Sequence, residues 1–83
     1  MQIEFYTHGL HRIFERGLTA SIVREWLPKA LKLTPTKKDH IGVTRPYIIN
    51  GWKFIVREVK DLRIVITAFP EKEWLEEGNI TYE

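Results

Sequence analysis

"HIGVTRPYIINGWKFIVREVKDLRIVITAF", residues 40–69, divides itself at two turns. Asn50-Gly51 sits between runs rich in β-branched and aromatic residues, the strongest short-range signal for a two-residue hairpin. Lys60-Asp61 marks a second turn. The stretch predicts three strands, over 40–50, 52–60 and 63–69. With such short connections they form an antiparallel meander.

Upstream, "QIEFY" (2–6) alternates and is rich in strand formers, so it reads as a short strand. Thr7 is placed to cap a helix that Gly17 stops. In that helix Leu10, Ile13 and Phe14 share one side, and His8, His11, Arg12, Glu15 and Arg16 share the other. Thr19 caps a second helix whose apolar face is Ala20, Ile22, Val23, Trp26 and Leu27, with Pro28 limiting its length. "KALKLTPTKKD" (29–39) reads as an irregular, extended connector, and it is the most cationic stretch of the chain. Downstream, Pro70 opens a short last helix, "EKEWLEE", that Gly78 ends. The fold class is therefore α+β: strand, helix, helix, three-stranded antiparallel meander and a short C-terminal helix, with helices on one face of the sheet. Eighty-three residues make this one domain, 1–83.

Composition narrows the function classes. Without cysteine the chain has no disulfide and no thiolate metal site. The longest strongly apolar stretch, "IVITAF", is far too short to cross a bilayer. The start "MQIEFYTHG" lacks the basic opening and apolar middle of a signal peptide. No membrane partner and a cytoplasmic location are the expectations. Charge is uneven: residues 1–68 carry twelve Lys/Arg against six Asp/Glu, and residues 69–83 carry one against five. A basic body with an acidic tail suits a polyanionic partner such as RNA.

The polar face of the first helix offers two chemistries. His8, Arg12 and Arg16 follow one another at i, i+4, i+8, and His11 and Glu15 form a second i, i+4 pair beside them. His8, His11 and Glu15 have metal-ligand spacing, but Arg12 and Arg16 would repel a cation there, so neither metal nor cofactor is expected. Phosphate chemistry fits better. Metal-independent RNA cleavage needs proton transfer near neutral pH, which histidine supplies, and a fork for the charged phosphate, which arginine supplies. An amphipathic helix also shows a charged face to water as a matter of course.

The sheet adds further candidates. Arg45 and Tyr47 alternate to one face of their strand. Simple alternation puts Arg63, Val65, Thr67 and Phe69 on one face of the last strand, and Ile64, Ile66 and Ala68 on the other. Thr67 would present a hydroxyl to a phosphate. Lys37 and Lys38, in the cationic connector, suit sequence-independent contacts to a nucleic-acid backbone.

The run from His8 through Arg12, Arg16, Gly17, Leu18 and Thr19 fits a pattern H-x-x-x-R-x-x-x-R-G-[LI]-[ST]. It resembles the opening of a small bacterial family known as "domain of unknown function 4258". The turn-linked strand pair running into "IVITAF", with Thr67 at the family's usual threonine, is similar to that family's end. The resemblance covers about residues 5–70 and leaves out the acidic tail. This family looks related to the RelE/ParE toxin-like group within the barnase–EndoU–colicin–RelE ribonuclease fold. It implies a RelE-like fold and a toxin-like, metal-independent endoribonuclease or RNA-binding domain. His8, Arg12, Arg16 and Thr67 would be its catalytic positions, with Arg45 binding substrate; Lys37 and Lys38 join as substrate-binding candidates from the cationic connector alone. It further implies an antitoxin-like protein partner. The rival reading is a non-catalytic module of phage or mobile-element origin that docks a protein or nucleic acid. Fold alone does not choose between them.

Overall fold

Asn50 and Gly51 both hold positive φ, 52° and 79°, in the computed structural model, which describes residues 2–38 and 40–72. That geometry matches the right-handed twist of the flanking strands, and asparagine and glycine adopt it at low cost. In chain order the elements are β1 (Gln2–Phe5), α1 (Thr7–Glu15), α2 (Ala20–Trp26), a 3-10 turn (Leu27–Lys29), β2 (Leu31–Lys32), β3 (Lys37–Lys38), β4 (Val43–Ile49), β5 (Trp52–Val59) and β6 (Leu62–Pro70).

The protein is α+β, and its sheet is larger than a three-stranded meander. The strand order is β1-β6-β5-β4-β2, with β3 also paired to β4. The expected meander is β4-β5-β6. On one side of it, β1 runs parallel to β6, with Gln2 beside Leu62 and Phe5 beside Val65. On the other side, the stretch expected to be an irregular connector is an edge strand. Leu31 and Lys32 pair with Ile48 and Tyr47, and Lys37 and Lys38 pair with Thr44 and Val43. The Leu33 N–H donates to Pro46 O and the Thr36 N–H to Thr44 O, so backbone pairing extends inward from both pieces. Between them the register slips by two residues around Pro35, which lacks the N–H a ladder needs. Lysines and a proline on an exposed edge also discourage pairing with another sheet.

Helix ends follow local chemistry, with one correction. Thr7 is the first helical residue of α1 rather than its cap; Tyr6 holds the cap position without a side-chain bond. Thr19 does cap α2, accepting the Ile22 N–H at 3.2 Å. Gly17, at φ 84°, closes α1: its N–H donates to Phe14 O while the Leu18 N–H reaches back to Ile13 O. This pair of bonds is the Schellman arrangement, which needs a residue in the left-handed region. The last helix expected from Pro70 to Gly78 lies outside the described residues beyond Lys72; Glu71 and Lys72 are helical.

The core joins Ile13, Leu18, Val23 and Leu27 from the helical segment to Ile3, Tyr47, Phe54, Val56, Val65 and Ala68 from the sheet. Phe14, expected on the apolar side of α1, is instead 59% exposed. The inward line of α1 is Gly9 and Ile13, one turn apart. Arg24 ties α2 to β1: Nε and Nη2 donate to Ile3 O at 3.4 and 3.3 Å, and the guanidinium lies 5.0 Å from the Phe5 ring centre.

Simple alternation fails along β6. Ile55 pairs with Thr67 but Val56 pairs with Val65, so Ile66 is an extra residue, a β-bulge. Val65 and Ala68, three apart, are consequently both fully buried. Thr67 turns to the face opposite Arg63, not the shared face that strict alternation predicts.

Two predictions follow from these contacts. A Cβ on Gly9 would lie 2.6 Å from Val65 O and 2.8 Å from Ile66 O, so the helix would have to lift off the sheet backbone. Gly9→Ala gains about 1 kcal/mol of helix propensity and loses about 1–3 kcal/mol to overpacking. Urea unfolding should show a net loss of stability. Lys53 is 1% exposed, and burial lowers its ammonium pKa to about 8, against the opposing pull of Glu71. An unfolded lysine still holds its proton between about pH 8 and pH 10.4, so stability should rise with pH across that window. Lys53→Met should raise the unfolding free energy at neutral pH by about 1 kcal/mol, and the gain should shrink above the window in melts run at stepped pH.

Candidate nucleic-acid interface

α1 packs against β6, which puts the helix bearing His8, Arg12 and Arg16 beside the strand bearing Thr67. His8 and Arg12 are exposed, and Arg16 and Thr67 are half-buried. Arg12 Nη1 lies 3.8 Å from Glu15 Oε1, with both side chains well exposed. Such a pair is worth well under about 1 kcal/mol, so it holds Arg12 only weakly. Glu15 was expected to pair with His11, which is exposed. Lys38 is exposed on the edge strand that also carries Lys37. Among the described residues no three of His, Cys, Asp and Glu come together as a metal shell would require. Among the described residues no helix is long and apolar enough to cross a membrane.

A second polar centre lies on the sheet. Phe54, Val56 and Glu58 project to the same face of β5, so Glu58 continues the row that builds the core. Four side chains converge on its carboxylate. Arg45 Nε donates to Oε1 at 3.0 Å, and the buried Tyr47 hydroxyl donates to Oε2. Arg63 Nε stands 3.4 Å and Lys32 Nζ 3.9 Å from Oε2. Arg45 Nη1 also donates to Leu33 O at 2.7 Å, and the Arg63 guanidinium lies 5.0 Å from the Tyr47 ring centre. Lys32, Glu58, Lys60, Asp61 and Arg63 line a cavity of about 320 Å³ here. A second cavity of about 330 Å³, lined by Gln2, Ile3, Glu4, Arg24 and Pro28, has one cation, and that cation is engaged with Ile3 O.

The electrostatics favour charge at Glu58 and neutrality at Tyr47. Burial works to raise the Glu58 carboxyl, but hydrogen bonds from Tyr47 and Arg45 and the charges of Lys32 and Arg45 outweigh it and hold the pKa below the usual glutamate range. Burial, then the Glu58 carboxylate, pushes the Tyr47 phenol well above its ordinary value. Tyr47 is thus a proton donor at every physiological pH, and Glu58 an acceptor of bonds.

The arrangement sorts the candidates read from sequence. Arg45 joins the Glu58 centre, and Tyr47 joins it too. Thr67 does not, since it sits across the sheet. Lys32, Glu58 and Arg63 are members that pattern reading missed. Comparison with protein-family models, with curated proteins and with solved structures yields no match to this chain.

A glutamate whose folded pKa is depressed adds stability above its unfolded pKa and loses it as pH falls through the folded one. Wild-type unfolding free energy should therefore decline as pH drops below about 4.3. Glu58→Gln should remove its share of that acid limb, measured by urea melts between about pH 3 and pH 6. An acid limb unchanged in Glu58→Gln would show that Glu58 gains nothing from its partners.

Proposed function

We propose that this chain is a toxin-like, RelE-like domain that binds RNA and cleaves it without a metal ion. The observation that supports the reading is the packing of α1, the helix of His8, Arg12 and Arg16, against β6, the strand of Thr67. His8 acts as the proton-transfer group. Arg12 and Arg16 hold the scissile phosphate through planar, two-pronged donors. Thr67, the remaining candidate, presents its hydroxyl from the face of β6 opposite the core. The basic edge with Lys37 and Lys38 steers the polyanion and contacts its backbone, and Arg45 adds positive charge. The resemblance of the His8–Thr19 run to "domain of unknown function 4258" supports the same assignment.

Exposed Leu31, on the same edge as the lysines, favours a second reading: a module that docks a protein through an apolar side-chain contact at that edge. An antitoxin-like protein would be such a partner.

The test is cleavage of total RNA in EDTA, with thermal melts on every variant. His8→Ala should lose about a hundredfold or more in rate with its melting point preserved. Arg12→Lys should also lose most of the rate, because a point charge does not replace the fork. Binding should weaken steeply with salt as condensed counterions are released. Wild-type activity abolished by EDTA would overturn the metal-free mechanism. Salt-dependent binding without any cleavage would favour the second reading.

A further inference from the structure

The cavity beside Glu58 is lined by more cations than carboxylates. Lys32, Lys60 and Arg63 line it with Glu58 and Asp61, and Arg45 grips Glu58 through Nε. Three cations thus line the cavity with two carboxylates, and Arg45 adds a fourth positive charge behind Glu58. Counted with Arg45, the excess matches the roughly two negative charges that a phosphate monoester carries near neutral pH.

The two guanidiniums are already set. Arg45 is held at both ends, by Glu58 Oε1 at 3.0 Å and Leu33 O at 2.7 Å. Arg63 is held by Glu58 Oε2 at 3.4 Å and by the face of Tyr47. Arginines ordered before binding lose less side-chain entropy when an anion arrives. Lys60 holds φ 55°, a backbone position that glycine or asparagine fills at lower cost, yet a cation stands there at the cavity rim. The volume of about 320 Å³ leaves room for the group esterified to the phosphate.

We propose that this cavity binds a phosphomonoester dianion, with Arg63, Lys32 and Lys60 facing the phosphate and Glu58 positioning the arginines. The inference rests on the RNA reading only for the molecule that carries the phosphate: the terminus of an RNA strand, or a small phosphate ester. It makes the site one for a chain end rather than for the scissile diester.

The experiment is an NMR titration of the whole chain with inorganic phosphate at constant ionic strength. Saturable shifts are expected at the amides of Lys32 and of residues 58–63. Removing one charge at the rim should change affinity by about fivefold, weaker for Lys60→Gln and tighter for Asp61→Asn. Both side chains are exposed on a turn, so both variants fold. Affinity should fall as pH drops through the second ionisation of inorganic phosphate, where the dianion takes up a proton. Absence of saturable shifts at these amides, or equal binding by wild type and both variants, overturns the site. A second arm compares hexauridylates bearing a 5′-phosphate, a 3′-phosphate or neither. Tighter binding of one phosphorylated form identifies an RNA end. Phosphate binding with no preference among the three identifies a small ester and leaves the RNA reading to the cleavage test.

Discussion

Positive φ at Asn50 and Gly51 fixes the register of β4 against β5, and most of the molecule depends on that register. It sets Tyr47 opposite Phe54 and Val43 opposite Glu58. A slip of one residue would turn Phe54 and Val56 out of the core and carry Glu58 to the other face. The core and the Glu58 centre are thus consequences of one two-residue turn. They share a row of alternate side chains, apolar where the helical segment covers it and charged where the cavity opens.

Glu58 couples the polar centre to the fold's weakest edge. A half-buried carboxylate costs free energy unless it is bonded, and here Tyr47, Arg45, Arg63 and Lys32 surround it. Arg45 passes the restraint on, because its other arm holds Leu33 O. That bond anchors the edge strand at the place where its ladder to β4 is interrupted. The guanidinium that stabilises the edge also contributes to the cavity's positive field, so the edge strand and the charge of the cavity are linked through one side chain.

The residues themselves made much of this legible. The two turns specify the meander, and Gly17 and Thr19 specify the corner between helices. Turn arithmetic carried one step further would have found Glu58: two-residue loops at Asn50-Gly51 and Lys60-Asp61 put it beside Arg63 and diagonal to Arg45. Three features were not legible. The edge strand hides behind Pro35 and a two-residue slip, so neither its existence nor the reach of Lys32 follows from periodicity. Phe14 fits the apolar stripe of α1, but the close approach of Gly9 to the β6 backbone rotates the contact line toward Gly9 and Ile13. The bulge at Ile66 has no composition signal in an unbroken apolar run, and it alone reverses the face of Thr67.

That bulge also separates two chemistries along one strand. Before it, β6 is flanked by β1 and presents Arg63 to the Glu58 cavity. At it, α1 approaches the β6 backbone through Gly9, and beyond it Thr67 lies on the other face. A single phosphate cannot touch both residues, because the sheet lies between them. The pair could be engaged together only by a ligand long enough to pass from one face to the other, which a polynucleotide is and a mononucleotide is not. Under the proposed reading the two places serve distinct groups on a ligand.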